Sequence, residues 1–163
     1  MIKIRSAEEN DAVLILQLIR DLAEYEKAPE QAVATLADIR RHGFGPERKF
    51  QVLVAEWENE PAGFALYFYH YSTWMGKPTL FLEDLFVRPP WRKRGIGKAL
   101  LTRLAQIAVA EDCGRMEWQV LSWNAPAIKF YESLGAAVLQ DWLTMRVSVP
   151  SLRRLAAESS DAR

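Results

Sequence analysis

The segment from Thr79 to Leu121 constrains the fold of this chain most strongly. It begins with an apolar run typical of a strand, which Pro89 and Pro90 end, and it continues with apolar residues at helical spacing up to Ala108. A second strand pattern follows from Arg115. A strand, a helix and a strand in this order predict a crossover unit, and such units bind ligands at the carboxyl ends of their strands.

The loop at that carboxyl end is basic and contains two glycines. Residues 88–98 read RPPWRKRGIGK, with five basic side chains and no acidic one. A helix N-terminus presents unpaired N–H groups, and Gly95 and Gly97 let an anion approach the backbone, so the segment predicts an anion site. Arg92 stands at the first glycine of a Walker loop and Leu100 at the third glycine of a dinucleotide fingerprint, so neither motif is present. A tight turn flanked by solvated basic residues is the alternative interpretation.

Elements outside this segment are predicted from periodicity and capping signals. A capping box at Ser6 and Glu9 predicts a first helix that reaches about Tyr25, and Thr35 with Asp38 predicts a second, short helix. The other expected elements are strands at residues 2–5, 50–57, 63–71 and 136–149, a helix at residues 125–134, and a patternless tail at residues 151–163 that frays. This order predicts one mixed α/β domain over residues 1–150, with helices on the faces of a sheet.

Composition excludes several classes of partner. The chain has 163 residues, half of them hydrophobic, so it can bury a core without disulfides or a structural metal. Acidic and basic residues balance at 21 each, which argues against binding nucleic acid or an anionic membrane. Cys113 is the only cysteine, and no cluster has metal-site spacing. With no apolar run long enough to cross a bilayer, we expect a cytoplasmic protein that binds no metal.

Two adjacent carboxylates interrupt the apolar strand of the crossover unit. Glu83 and Asp84 lie between the apolar triplets LFL and LFV. Neighbouring residues of a strand face opposite sides, so at least one carboxylate is expected to point toward a covered face, where an uncompensated charge is costly. A structural ion pair is one explanation, and a functional site is the other.

Two longer stretches resemble a known family. The R-x-x-G-x-G pattern from Arg92 to Gly97 resembles the acetyl-CoA loop of the GNAT superfamily of N-acetyltransferases. YSTWMGKPTLFLEDLFVRPPWRKRGIG and WNAPAIKFYESLGA resemble the diamine (spermidine/spermine) acetyltransferase family, with YSTW nearer its thialysine-acetylating branch. The similarity runs from Ile4 to about Trp142. It implies a mostly antiparallel central sheet in which an antiparallel strand pair splays apart after the ligand-bearing strand.

The resemblance also implies roles for individual residues. Acetyl-CoA would be the cosubstrate, with its pantetheine arm on the backbone of Leu85, Phe86 and Val87 and its pyrophosphate on Arg92, Lys93, Arg94, Gly95, Ile96, Gly97 and Lys98. Asn124 and Ala127 begin the later helix as a cap, a CoA contact or both. Tyr131 would protonate the departing thiolate, although helical spacing alone also fits a core position.

The amine site follows from the same resemblance. Glu83 would accept the proton of the amine, and Asp84 would orient the substrate or pair with its charge. The remaining implied substrate contacts are Tyr25, Glu26, Glu117, Trp118 and Gln119. A small cationic amine suits this acidic and aromatic set. The resemblance further implies a homodimer whose active sites are each completed by the partner, and a non-enzymatic acyl-CoA-binding module is the alternative function.

Overall fold

The chain folds as a mixed α/β structure, which a computed structural model describes over residues 1–158. Its contacts divide it into two compact units, Met1–Gln119 and a second that begins at Val120. The strands are β1 (Ile2–Ser6), β2 (Gln51–Trp57), β3 (Glu60–Ser72), β4 (Lys77–Val87) and β5 (Arg115–Trp118). The helices are α1 (Ala12–Tyr25), α2 (Leu36–Gly43), α3 (Ile96–Ala110), α4 (Ala125–Ser133) and α5 (Val149–Ala157).

The five strands form one sheet in the order β1-β2-β3-β4-β5. The strands from β1 to β4 pair antiparallel, and short turns connect β2 to β3 and β3 to β4. β4 and β5 pair parallel, because α3 carries the chain back between them. The predicted crossover unit and the mostly antiparallel sheet are therefore confirmed.

Helices cover both faces of the sheet. On one side, which we call the α1 face, buried residues of α1 and α2 pack on Phe64, Leu66 and Phe86. Strand residues that alternate with these, such as Ala65 and Leu82, are buried on the opposite side, the α3 face, against which α3 packs. Helices on both faces of the sheet were expected, and this expectation is confirmed.

A glycine brings β3 close to the end of β4. Gly63 lies opposite Val87, and a Cβ added there would collide with the backbone carbonyl of Phe86. Any other residue would push the two strands apart. Gly63 therefore helps to hold the carboxyl end of β4 in the sheet.

The capping signals are partly confirmed. Thr35 and Asp38 form the expected reciprocal box at the start of α2. The expected box at Ser6 and Glu9 is wrong, because Ser6 still belongs to β1 and Glu8 and Asp11 form the reciprocal pair instead. Arg5 holds the Asp11 carboxylate at 2.7 and 2.9 Å, which places it at the turn.

The predictions for the C-terminal region are corrected. No strand forms within residues 136–148, although alternate side chains there are apolar, and Leu143 and Met145 are 85% and 90% exposed. An alternating pattern makes a strand only where a neighbouring strand satisfies its backbone groups. The stretch expected to fray forms α5 instead, and the end of the expected tail, residues 159–163, lies outside the described residues.

Two expectations stay predictions. The single domain over residues 1–150 is one, since the structure groups the chain into the two units described above. The cytoplasmic location is the other. Among the residues described, no helix combines the length and the apolar character that a membrane span requires.

Candidate active site

The carboxyl half of β4 has an open edge. β5 pairs with β4 only from Thr79 to Leu82 and ends at Trp118, so residues 83–87 have no strand neighbour on that side within the described part of the chain. On its other side this stretch pairs with β3. The backbone groups of an open strand edge can bind an extended ligand. The expected splayed pair is thus β4 and β5, which are parallel; the expectation of an antiparallel pair was wrong, because a helix connects the two strands.

A β-bulge lies where the open edge begins. Leu66 of β3 pairs with Asp84 and Tyr67 pairs with Leu82, so Glu83 is the extra residue of β4. A bulge interrupts the alternation of a strand and re-aims its side chains. Asp84 therefore shares the α1 face with Phe81, three residues earlier, and it is half-buried, while Glu83 is exposed.

Asp84 is the less exposed carboxylate of this pair. Burial, together with the negative charges of Glu83 and Glu26, raises its pKa to about 7. Burial also raises the pKa of Glu26, at the end of α1. A cluster of carboxylates with poor access to water attracts a cation, because a bound positive charge relieves both their mutual repulsion and their desolvation. The sequence predicts that at least one of the two adjacent carboxylates points toward a covered face. Asp84 is that residue.

Aromatic and cationic side chains border this cluster. The rings of Tyr25 and Phe86 lie 6.3 Å apart on the α1 face. The Arg92 guanidinium lies 4.6 Å from the Tyr25 ring centroid, and its Nε donates to the carbonyl oxygen of Val87 at 2.8 Å. The side chain of Arg92 thus contacts the end of β4 and the ring of Tyr25.

The loop before α3 has the backbone of an anion site. Lys93 and Gly95 adopt positive φ values of 62° and 82°. No side chain caps the N-terminus of α3 within the described residues, and no acidic residue lies in its first turn. The first N–H groups of the helix, from Ile96 onward, therefore have no intrahelical partner and can bind an anion together with the loop.

The second unit carries the remaining candidates. The Asn124 side chain accepts a hydrogen bond from the Ala127 N–H at 3.4 Å, so the expected cap of α4 is confirmed and a contact with CoA stays a prediction. Tyr131 is half-buried on α4, and its ring lies 5.4 Å from that of Phe130. Its role as an acid stays a prediction.

The structure also separates residues that the sequence grouped together. Glu117 lies beside Phe81 on the α1 face, whereas Trp118 is in register with Leu82 and so faces the α3 side. Gln119 follows the end of β5. Of these three residues, the strand register places only Glu117 on the α1 face, where the carboxylate cluster lies.

An aromatic group on this face escaped the sequence analysis. The His70 ring stacks on Phe81 with centroids 4.4 Å apart and an interplanar angle of 19°, and Phe68 lies 5.3 Å from Phe81. The alternation of Phe68 and His70 is visible in the sequence. Their alignment with Phe81 depends on the bulge, which the sequence does not reveal.

Together these features define a class of protein: an α/β fold in which an open strand edge leads into a helix N-terminus that can bind an anion, beside a cluster of carboxylates. Residues 15–136 match the family described as acetyltransferase (GNAT) family. The chain belongs to this family of acetyltransferases, which implies acetyl-CoA as its cosubstrate.

Individual relatives agree with this assignment. The chain is 36% identical over 168 residues to the thialysine N-epsilon-acetyltransferase of Bos taurus, covering 96% of this chain and 98% of the relative. It is 38% identical over 120 residues to the L-ornithine N5-acetyltransferase of Arabidopsis thaliana, covering 74% of this chain and 50% of that one. An integron cassette protein of V. cholerae has a similar structure, with a TM-score of 0.81 and 26% identity over 96% of this chain and 98% of that chain. The alternative of a non-enzymatic module gains no support from these relatives.

Proposed function

We propose that the protein transfers the acetyl group of acetyl-CoA directly to the primary amine of a small cationic substrate, either a lysine-like amino acid or a polyamine. The observation that carries this proposal is the position of Asp84, whose carboxylate lies at the open edge of β4 among other carboxylates. A cation drawn to this cluster is close to the strand edge that suits the thioester. The relatives named for thialysine and ornithine acetylation support the same substrate class.

The proposed cosubstrate site has two parts. The free edge of Leu85, Phe86 and Val87 offers backbone groups to the amide-containing pantetheine arm. The loop from Lys93 to Lys98 offers the uncapped helix N-terminus to the pyrophosphate. Both parts use backbone atoms, so we propose that the basic side chains of the loop contribute less than its conformation does.

The reaction requires the amine to lose a proton. An alkyl ammonium with a pKa near ~10.4 is almost wholly protonated at neutral pH. A carboxylate accepts one proton, directly or through water, and the neutral nitrogen forms a bond to the thioester carbon. The carbon–sulfur bond then breaks, and the CoA thiolate leaves with the bonding electron pair. The nitrogen, which became cationic on attack, releases a second proton that replaces, through water, the one donated to the thiolate. Tyr131 is the proposed donor of a proton to that thiolate.

Two carboxylates compete for the role of proton acceptor. We assign it to Glu83, because this bulge residue is exposed at the start of the open edge and accessible to both water and an amine. Asp84 is then the partner that holds the ammonium. Asp84 is the competing candidate for the proton acceptor, because its pKa is raised to about 7 and a base that titrates near neutral pH suits catalysis there.

The experiment that tests this proposal is an acetyl-CoA-dependent assay with polyamines, thialysine, lysine, ornithine and peptide N-termini. We expect turnover with at least one small diamine or basic amino acid. Absence of acetylation across the panel, with acetyl-CoA binding retained, would support a binding module instead and refute the proposal.

Variants then assign the roles. Glu83→Gln is expected to lower kcat and to remove the acidic limb of the pH–rate profile, and Tyr131→Phe to lower kcat with acetyl-CoA affinity kept. Roughly 10²-fold or more is expected for loss of a proton-transfer group. If Asp84→Asn removes the acidic limb of the pH–rate profile while Glu83→Gln leaves that limb in place, the assignment of the acceptor to Glu83 is wrong.

The homodimer and the cytoplasmic location belong to the proposal as well, and the family resemblance supports them. Analytical ultracentrifugation of the full chain tests the first. If active enzyme sediments as a monomer over the assayed concentrations, neither the dimer nor a shared active site stands.

A further inference from the structure

Beyond the carboxylate cluster, the α1 face continues in two rows of side chains that the strand register aligns across the sheet. The first row is Phe68, Phe81 and Glu117, and the second is His70, Thr79 and Arg115. Partners in register lie side by side on one face of a sheet. The rows therefore form a continuous strip from the ring of Phe81 to β5.

An ion pair joins the two rows at the edge formed by β5. Arg115 Nε lies 2.8 Å from Glu117 Oε1, and the two side chains are 49% and 31% exposed. This contact uses one nitrogen of the guanidinium and one oxygen of the carboxylate. The terminal nitrogens of Arg115 and the second oxygen of Glu117 can then serve a ligand with two opposite charges, and Phe81 is in register with Glu117.

The spacing of the strip fits one kind of substrate. The Phe68–Phe81–Glu117 row is two residues of β3 away from the row of Leu66 and Asp84, or about 7 Å at ~3.4 Å per residue. The five bonds from the α-carbon to the terminal nitrogen of a lysine-like side chain span about 6 Å when extended, with single bonds near ~1.5 Å. Glu117 also lies one strand further across the sheet than Asp84, so roughly 8 Å separate the two backbone positions when the ~4.8 Å spacing between strands is included. With a hydrogen bond of ~3 Å at the amine, a substrate whose α-carbon lies beside Glu117 reaches Asp84 with its terminal nitrogen.

We propose that Arg115 and Glu117 determine substrate specificity by binding the α-carboxylate and the α-ammonium of a basic α-amino acid whose side chain crosses Phe81 to reach Asp84. This inference rests on the proposed function and selects between its two substrate classes. Arg115 offers the carboxylate a bidentate partner, and Glu117 offers the ammonium a single charge. A polyamine carries only positive charge, so it gains from Glu117 and is repelled by Arg115.

The stacked rings strengthen the selection. Phe81, Phe68 and His70 form a cluster of three mutually contacting rings, with centroids 4.4 to 5.4 Å apart, and this cluster offers an apolar surface for the methylene groups or the sulfur of the substrate. Charged groups are confined to the two ends of this surface, Asp84 at one and the Arg115–Glu117 pair at the other. The arrangement matches a molecule that is zwitterionic at one end, apolar in the middle and cationic at the other end.

The test compares three amines that differ only in the proposed recognition groups. They are lysine, cadaverine, which is lysine without the carboxylate, and 6-aminohexanoate, which is lysine without the α-amine. Full-length wild type is assayed with each amine and acetyl-CoA, alongside Arg115→Gln and Glu117→Gln. Arg103→Gln is the matched control, since Arg103 lies on α3 and donates to Gln106 at 3.3 Å.

We expect wild type and Arg103→Gln to prefer lysine to cadaverine in kcat/KM. Arg115→Gln should lose roughly 10- to 100-fold with lysine, mainly through KM, and much less with cadaverine, which also shows that the variant is folded. Glu117→Gln should weaken lysine more than 6-aminohexanoate.

If wild type acetylates cadaverine at least as well as lysine, or Arg115→Gln weakens both equally, this inference is refuted and the proposed function survives. If no amine of any class is acetylated, both fail.

Discussion

Asp84→Asn is the substitution that best tests the electrostatics of the site, because it should stabilise the fold while it damages the function. An asparagine has nearly the shape of the protonated aspartic acid and cannot ionise. The wild-type protein must hold a charge at Asp84 above neutral pH, in a half-buried position beside two other carboxylates. The variant removes that charge and leaves the packing nearly unchanged.

The direction of the pH dependence follows from linkage. The pKa of Asp84 rises from the ordinary value of 3.8 to about 7 in the folded protein. Below the ordinary value the carboxyl is protonated in both states and costs nothing. As the pH rises toward 7, the unfolded state loses the proton more readily than the folded state, so the wild type loses stability relative to the variant. Above about pH 7 the difference is constant.

The ordinary and the raised pKa of Asp84 also set an upper limit on the stability difference between the variant and the wild type. A rise from 3.8 to about 7 corresponds to roughly 4 kcal/mol, at ~1.4 kcal/mol per pH unit. Relaxation of the side chain and entry of water reduce this figure, and we expect ~1–2 kcal/mol at pH 8. For a chain of this size that raises Tm by roughly 2–8 °C. The gap should be larger at pH 8 than at pH 5.

Thermal unfolding followed by circular dichroism between pH 5 and pH 8 measures this gap. Asp141→Asn is the matched control, because Asp141 is fully exposed in the second unit and the same change of atoms is made there. Its Tm difference from wild type should not vary with pH. An Asp84→Asn variant that is less stable than wild type at pH 8, or whose gap is the same at every pH, would show that Asp84 is not a destabilised carboxylate.

Three further predictions concern the fold around the site. Arg5→Gln removes a guanidinium that donates to Glu56 and to Asp11 at 2.7 Å each, so we expect a loss of ~2–3 kcal/mol in urea unfolding at pH 7. Because Arg5 lowers the pKa of Asp11, this loss should shrink below about pH 4, as Asp11 becomes protonated. Lys3→Gln, at a 3.7 Å pair whose lysine is exposed, should cost less than ~0.5 kcal/mol. Gly95→Val, at a positive φ, should raise the calorimetric Kd for acetyl-CoA at least ~10-fold, whereas Lys93→Ala should change that Kd less than ~3-fold. A larger effect of Lys93→Ala than of Gly95→Val would show that side chains, not the backbone, bind the cosubstrate. Deletion of Glu83 makes β4 regular in its existing register, so we expect retained folding with lost turnover; retained turnover would refute a role for the bulge.

The sequence predicts most of the fold because its strongest signals are local. The crossover from β4 through α3 to β5 has long apolar patterns with clear ends, and the box at Thr35 and Asp38 lies within four residues. The box expected at Ser6 is wrong because Ser6 continues β1, while Arg5 binds Asp11 and Asp11 pairs with Glu8 at the turn. The strand expected at residues 136–149 fails similarly, because a pattern of apolar residues does not provide a pairing partner.

The sequence predicts the residue types of the candidate site but not their arrangement in space. Glu83 and Asp84 stand out as charges in an apolar strand, but which of them is buried depends on the bulge opposite Leu66 and Tyr67. The sequence also gives Arg92 a place in the anion loop, while its guanidinium contacts Tyr25 and Val87 instead. Such contacts join segments that are distant in the chain, and local patterns carry no information about them.

The bulge connects the chemistry of this protein to its fold. Without the extra residue, β4 would alternate regularly, and a single carboxylate would face the α1 side next to the ring of Phe81. The bulge adds a second carboxylate at the point where β5 ends and the strand edge opens. Their mutual repulsion, together with burial, raises the pKa of Asp84, so the site costs stability whenever it is empty and charged. A bound ammonium removes that cost. Relief of the repulsion between the carboxylates therefore contributes to the affinity for the ammonium.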